Sequence, residues 1–137
     1  MKIITLWQPW ASFIAWGWKT IETRTHDRFK SLVGERIGIH AGNNWDKNWR
    51  ELAAPYLIQM QIDEVGLLKS AFDLGYCKGE IICTAKVEKA HWLLHEWRFD
   101  SQALCECDND LFGLFLTDIM QIEPIPAKGK QGIWIYG

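Results

Sequence analysis

The stretch TLWQPWASFIAWGWKTIETR, residues 5–24, predicts a strand, a short helix and a second strand in immediate succession. Pro9 suits the first turn of a helix, because the N–H that it lacks would be unpaired there in any case. Gly17 suits the end of that helix, and apolar residues between the two recur at helical spacing. The sequence therefore predicts a helix over residues 9–17 and a strand around 18–24.

Three charged side chains, Lys19, Glu22 and Arg24, follow directly after the glycine turn. In a regular strand Lys19 points away from Glu22, whereas Glu22 and Arg24 share a face. A turn at Gly17–Trp18 would bring the Lys19 ammonium back toward the same cavity. Two interpretations stay open: a surface ion pair worth at most ~1 kcal/mol, or a pocket in which Lys19 acts as a base or polarises a carbonyl.

The rest of the chain predicts more strands than helices. Further strands are expected over residues 2–7, 36–41, 80–87, 114–122 and 133–136, with the third continuing irregularly toward Trp92. Asn44 is expected to cap a helix, and Pro55 is expected to interrupt that helix or to begin the next segment. A second helix is expected over 65–74. Residues 25–32 and 95–110 are expected to be polar loops, the latter with a short helical turn. This pattern predicts one domain, residues 1–137, of the α+β class built on a small mixed barrel.

Charge is distributed unevenly along this chain of net charge −2. Residues 1–50 hold eight Lys and Arg against four acids, and the last fourteen residues hold Lys128 and Lys130 and no acid. If both ends meet, a local basic face forms that would attract phosphate. No apolar run approaches the ~20 residues that span a bilayer, and no signal peptide is recognisable. We therefore expect a cytoplasmic protein without a membrane partner.

Four cysteines are expected to be reduced thiols in that compartment. His91, His95, Cys105 and Cys107 are potential zinc ligands, but the C-x-C spacing differs from that of zinc fingers. We expect no metal site and no cofactor.

Nine tryptophans raise the question of base stacking, which contributes about 1–3 kcal/mol per base. Most are expected to be structural, because the large apolar ring favours burial. Trp10 and Trp18 flank the charged segment and are the expected exceptions.

Several segments together resemble ASCH-domain proteins, which share the PUA-like β-barrel fold of RNA-associated modules. They are residues 5–24, RIGIHAGN (36–43), Phe112–Gly113 and PIPAKGKQGIW (124–134). The resemblance spans the chain and implies a mixed barrel of five to six strands with short flanking helices. It also implies that the two ends of the chain meet, and that RNA or a nucleoside is the partner.

Some small members of that family are amidohydrolases of N4-acetylcytidine, with a motif K-T-I-T-x-R and a distant Glu. The matching segment here is Lys19-Thr20-Ile21-Glu22-Thr23-Arg24, so Glu22 stands where the family has its nucleophilic threonine. Glu22 would then act as a general base on water while Lys19 stabilises an oxyanion. Glu106 and Asp110 are candidates for the distant acid by their order along the chain.

The remaining candidate residues form the other side of the expected cleft. His40 ends the strand in the family's His-Ala motif, as a hydrogen-bonded core histidine or as a site residue. The loop 128–132 offers Lys128, Lys130 and Gln131 beside two glycines, as a phosphate site requires.

We thus predict an RNA- or modified-nucleoside-binding protein with a cleft between residues 17–24 and 128–132. Its ligand-binding residues are Trp10, Trp18, Arg24, His40, Lys128, Lys130 and Gln131. One alternative is a hydrolase, of an acylated cytidine or of RNA, with Lys19, Glu22 and Glu106 as catalytic residues. A second alternative is a regulatory module whose tryptophan-rich surface binds a protein.

Overall fold

A computed structural model of the chain describes residues 1–60, 76–107 and 110–137. In these residues six strands form one curved, mixed sheet, a half-barrel, of order β2-β5-β4-β3-β1-β6. The strands are β1 (Lys2–Gln8), β2 (Ile21–Arg24), β3 (Arg36–Trp45), β4 (Glu80–Trp92), β5 (Phe112–Pro126) and β6 (Trp134–Ile135). β1 and β3 are parallel, and the other neighbouring pairs are antiparallel.

Short helical elements flank the sheet. The α-helices are α1 (Trp10–Ala15), α2 (Trp49–Gln59) and α3 (Asp100–Ala103), and 3-10 turns cover Arg28–Leu32 and Trp97–Phe99. The predicted α+β class, with five to six strands and short helices, is confirmed.

The helix α1 fixes the position of the charged segment because it is anchored in two apolar clusters. Its Ala11 and Ile14 belong to the main core, which the inward faces of β1, β3, β4 and β5 build. Its Phe13 packs instead in a second cluster with Ala53 and Leu57 of α2. Burying each large apolar side chain contributes about 1.5–3 kcal/mol. The end of α1, and with it the start of β2, is therefore held rigidly.

The irregular strand predicted from residue 80 toward Trp92 is confirmed. β4 runs along β5 with three register shifts. β5 is longer at both ends than the predicted 114–122, and β6 is shorter than the predicted 133–136. The loop expected over 95–110 contains the predicted helical turn, as α3 and the 3-10 turn before it.

Two local predictions near residue 50 were wrong. Asn44 does not cap a helix, because β3 continues to Trp45 and pairs there with Gln8. The helix starts instead after Asn48, and it runs through Pro55. Buried residues on both sides of the proline, in the cluster around Phe13, hold α2 together despite the missing backbone hydrogen bond.

Residues 25–32 are not entirely a polar loop. Part of this segment forms a 3-10 turn that buries Phe29 and Leu32 in the main core. The helix predicted over 65–74 lies outside the described residues. Within the described ranges, no helix is long and apolar enough to cross a bilayer.

Candidate functional site

A pocket of about 1240 Å³ opens between the segment 17–24 and the loop 128–132. Nine of the ten predicted site residues line it: Trp10, Lys19, Glu22, Arg24, His40, Glu106, Lys128, Lys130 and Gln131. The two ends of the chain therefore meet at one concave surface.

Lys19 reaches this pocket through the turn after α1. Gly17 has a positive φ of 79°, a conformation that glycine adopts without strain. The backbone N–H groups of Trp18 and Lys19 both donate to the carbonyl of Phe13, at 2.9 and 3.1 Å. β2 begins only at Ile21, so the alternation of a strand does not govern Lys19. The turn thus brings its ammonium to the same side as Glu22.

Lys19, Glu22 and Arg24 form a largely buried ionic triad. Lys19 Nζ lies 3.8 Å from Glu22 Oε1, and Arg24 Nη2 lies 3.3 Å from Glu22 Oε2. The side chains of Lys19, Glu22 and Arg24 are 3%, 9% and 27% exposed, respectively. Glu22 Oε1 also accepts a hydrogen bond from the backbone N–H of Thr23 at 3.1 Å. The interpretation as a surface ion pair was therefore wrong.

The Lys19 ammonium has hydrogen-bonding capacity left over. It donates to the carbonyl of Ala103 in α3, whereas 3.8 Å to Glu22 exceeds hydrogen-bond length. An ammonium has three N–H donors. Trp10 covers Nζ, with its ring centre 5.4 Å away, and its own Nε1 donates to Asp46 Oδ2 at 3.0 Å. The arrangement can offer N–H donors to an oxygen of a ligand.

Cys105 also lines the pocket, close to this triad. Burial raises the pKa of its thiol, although the Lys19 charge and a hydrogen bond with Thr23 act in the opposite direction. The thiol is therefore protonated at neutral pH and is a poor nucleophile. Sequence reasoning considered Cys105 only as a zinc ligand and missed its place beside Lys19.

The two histidines considered as zinc ligands have other partners. The His91 ring stacks on Phe115 with ring centres 4.7 Å apart, and His95 Nε2 lies 3.1 Å from Asp110 Oδ1. Among the described residues, no group of three or more His, Cys, Asp or Glu side chains is placed to hold a metal ion. All four cysteines are free thiols.

The two candidates for the distant acid differ in position. Glu106 is exposed and lines the pocket, whereas Asp110 is engaged by His95 and is absent from the pocket lining. Geometry therefore favours Glu106 as the acid of this site.

His40 connects the sheet to the lysine-bearing loop. It is 1% exposed, and its Nε2 lies 2.7 Å from the carbonyl of Ala127, to which it donates. Its Nδ1 is buried and has no hydrogen-bond partner among the residues that the structure describes. A Cβ atom at Gly129 would lie 2.7 Å from His40 Cε1 and 2.9 Å from Nδ1. Position 129 must therefore be glycine for the loop to lie this close to the ring. The expectation of a core histidine with both ring nitrogens hydrogen-bonded holds for Nε2 only.

The pocket is locally basic on an acidic chain. Five Lys and Arg residues line it against three acids, while the whole chain carries −2. The cations are Lys19, Arg24, Arg28, Lys128 and Lys130, and the acids are Glu22, Asp46 and Glu106. Lys128 and Lys130 are exposed and form no ion pair within the described ranges. The excess positive charge can therefore attract phosphate.

Two tryptophans are placed differently from the sequence-based expectation. Trp18 is absent from the pocket lining and packs against Trp16 and Phe13, with ring centres 4.8 and 5.4 Å apart. Its predicted role in stacking is therefore not supported. Trp7, which sequence reasoning did not select, is 54% exposed and lines the pocket.

Three of the solved structures with the same fold come from the bacterium Zymomonas mobilis. The crystal structure of the ASCH protein from Zymomonas mobilis matches with a TM-score of 0.59 at 17% identity, covering 98% of this chain and 87% of that one. A mutant of that protein matches with a TM-score of 0.60 at 19% identity and the same coverage. A second mutant matches with a TM-score of 0.51 at 19% identity, over 91% of this chain and 74% of that one. No protein-family model and no curated protein sequence matches the chain.

Proposed function

Because the chain has the fold of the ASCH protein, we propose that it binds RNA or a modified nucleoside in the pocket between residues 17–24 and 128–132. The observation that carries the proposal is the convergence of the buried Lys19–Glu22–Arg24 triad and the Lys128/Lys130 loop on one basic pocket.

The burial of the pocket residues supports a division of roles. Lys19 and Glu22 are buried and have donor and acceptor atoms for the polar edge of a base. The ring of Trp10, held by its hydrogen bond to Asp46, provides an aromatic surface beside them. Lys128 and Lys130 are exposed, as suits binding of phosphates that remain partly in water.

The test is a binding screen against nucleosides, modified nucleosides, nucleotides and short single-stranded RNAs. A specific ligand raises the melting temperature by mass action. If RNA is bound, the double variant Lys128→Gln/Lys130→Gln should weaken binding and flatten the salt dependence by about 0.7 in log–log slope for each phosphate that the protein no longer neutralises. Lys86→Gln is the matched control, since Lys86 is exposed on β4 and absent from the pocket lining. The absence of any ligand in this screen would contradict the proposal.

A hydrolase is the second candidate, and the observation favouring it is the proximity of Lys19 Nζ and Glu22 Oε1 at the buried floor of the pocket. Glu22 would take a proton from water as the hydroxide oxygen bonds to the acyl carbon of N4-acetylcytidine. Lys19 would stabilise the oxyanion, and the C–N bond would then break with proton return to the amine, which leaves acetate and cytidine. An RNA phosphodiester is the other candidate substrate.

Kinetics separates this candidate from binding alone. Lys19→Ala should lower turnover at least ~100-fold, which is typical for the loss of one oxyanion donor. Glu22→Gln should also lose turnover, because an amide does not accept the proton of the water. If neither cytidine release nor RNA cleavage is detected with the wild-type protein, these two activities are excluded while binding stands.

A further inference from the structure

The pocket is larger than one nucleoside requires. Its volume of about 1240 Å³ exceeds the range of about 300–1,000 Å³ typical for drug-sized ligands. The triad occupies the buried floor, whereas the exposed residues Trp7, Asn43 and Asn44 line the rim. The rim has no role in the function proposed above.

Trp7 lines the pocket, and its contacts differ from those of Trp10 and Trp134. The indole N–H groups of Trp10 and Trp134 donate to Asp46 and Thr5. In contrast, the Trp7 ring has no aromatic or cationic neighbour and its N–H no hydrogen-bond acceptor among residues 1–60, 76–107 and 110–137. Its ring is therefore available to a ligand on the face that it turns to the pocket.

The backbone opposite Trp7 is irregular. Leu6 pairs with Ala41 and Gln8 pairs with Trp45, so one residue of β1 stands opposite three residues of β3. Such bulges occur preferentially next to functional sites, where they redirect side chains. The three residues opposite Trp7 are Gly42, Asn43 and Asn44, and all of them line the pocket. The bulge thus places two exposed asparagines across from Trp7 in the strand pairing, and all three residues line the same pocket.

An aromatic face beside carboxamides is the chemistry that recognises an unstacked base. The ring stacks on the face of the base, while amide N–H and C=O groups pair with the polar edge of the base. We propose that Trp7, with Asn43 and Asn44, forms a second base subsite. The ligand is then single-stranded RNA of two or more nucleotides, not a free nucleoside. This inference rests on the proposed function and adds a length requirement to it.

The charges of the pocket fit a chain of phosphates. Cations enter the pocket from two separate elements, Arg28 from the 3-10 turn after β2 and Lys128 and Lys130 from the loop before β6. A free nucleoside has no phosphate to offset them, whereas each added nucleotide brings one. Affinity should therefore rise with the length of the RNA.

The experiment measures the affinity of the full chain for a mononucleotide and for oligoribonucleotides of two to six residues. Four proteins are compared: wild type, Trp7→Ala, Trp7→Phe and Trp97→Ala. Trp97 is the matched control, since it is 81% exposed and absent from the lining of this pocket. Trp7→Ala should weaken binding of the hexanucleotide about tenfold or more, as expected for the loss of one stacked base. Trp7→Ala should leave the affinity for the mononucleotide unchanged. Trp7→Phe should retain most of the wild-type affinity for the hexanucleotide, and Trp97→Ala should have no effect on either ligand.

Three outcomes would overturn the inference: equal affinity of the wild-type protein for all lengths, equal losses in Trp7→Ala and Trp97→Ala, or an equal loss for mononucleotide and hexanucleotide in Trp7→Ala. In each case the proposed nucleoside or RNA function survives, because the wild-type protein still binds. If the wild-type protein binds none of these ligands and no nucleoside, both proposals fail. Circular dichroism would verify that Trp7→Ala is folded, as its exposed position leads us to expect.

Discussion

Replacing Glu22 with glutamine tests whether the triad is a buried ionic unit. The change keeps the shape of the side chain and removes the charge that Lys19 and Arg24 share. Arg24 is 27% exposed and can turn toward solvent. Lys19 is 3% exposed and would retain the carbonyl of Ala103 and the Trp10 ring, neither of which carries a counter-charge. Leaving a buried charge without its counter-charge costs about 3–5 kcal/mol. The melting temperature should then fall by about 10–15 °C in a domain of this size.

Urea denaturation with linear extrapolation measures this loss in the free energy of unfolding. The matched control is Asp27→Asn, because Lys30 and Asp27 are also three residues apart and form an ion pair of 3.3 Å. Their side chains are 68% and 46% exposed, so this control should cost no more than about 1 kcal/mol. The double variant Lys19→Met/Glu22→Gln removes both charges and should recover about 0.5–3 kcal/mol relative to the sum of the single changes.

A buried ionic unit is contradicted if Glu22→Gln costs no more than Asp27→Asn. It is also contradicted if the double variant loses the full sum of its two single changes. Either result would mean that water reaches the triad and that the low exposure of Lys19 does not reflect real desolvation.

Two further predictions concern the packing and the titration of buried groups. Gly129→Ala should cost about 1–3 kcal/mol by overpacking, because the new Cβ would lie 2.7 Å from His40 Cε1. In a His40→Ala background the same change should cost less, because only the contact with Thr5 Oγ1 at 3.1 Å remains. An equal cost in both backgrounds would contradict the close approach. Burial raises the pKa of Cys83 to about 12, from 9.0 in the unfolded chain. The unfolded state therefore binds fewer protons above pH 9, and stability that is fully present below pH 9 should fall by up to about 1.4 kcal/mol per pH unit as pH rises toward 12. Cys83→Ala should make this decline shallower in urea titrations from pH 8 to 10.5, and an unchanged slope would show that the thiol does not titrate as predicted.

Local signals carried most of the prediction at residues 5–24. The glycine after the helix and the alternation of ETR depend on neighbours in sequence, so the helix, the turn and the strand could all be inferred. The meeting of this segment with the loop 128–132 came from the resemblance to the ASCH family. The periodicity of apolar residues contains no information about which distant segments lie together. Since this pocket is formed by segments from opposite ends of the chain, periodicity alone could not predict it.

The errors share a physical cause, which is that tertiary packing decides between local alternatives. Pro55 argued for a helix end, but the burial of α2 against Phe13 keeps the helix continuous. Trp18 was preferred over Trp7 as a stacking residue because it adjoins the charges. The structure reverses that order, because Trp7, at the bulge between β1 and β3, is exposed and lines the pocket, whereas Trp18 does not line it. Cys105 was missed as a pocket residue because it follows α3, whose Ala103 contacts Lys19 across 84 residues of sequence.

The ratio of charges in the triad, one carboxylate to two cations, bears on both proposed functions. One carboxylate stands between two cations, so the floor of the pocket carries an excess positive charge beside Lys19, which is almost fully buried. Burying such a charge is unfavourable unless it is paired or hydrogen-bonded. A ligand oxygen, from a base carbonyl or a phosphate, would supply the missing acceptor and would be bound more strongly there than in water. Glu22 already accepts from Thr23 and lies beside both cations, which leaves few lone pairs directed at a water molecule. The same geometry that favours binding an oxygen-bearing ligand therefore works against Glu22 as a general base, and binding without turnover is the simpler consequence of this site.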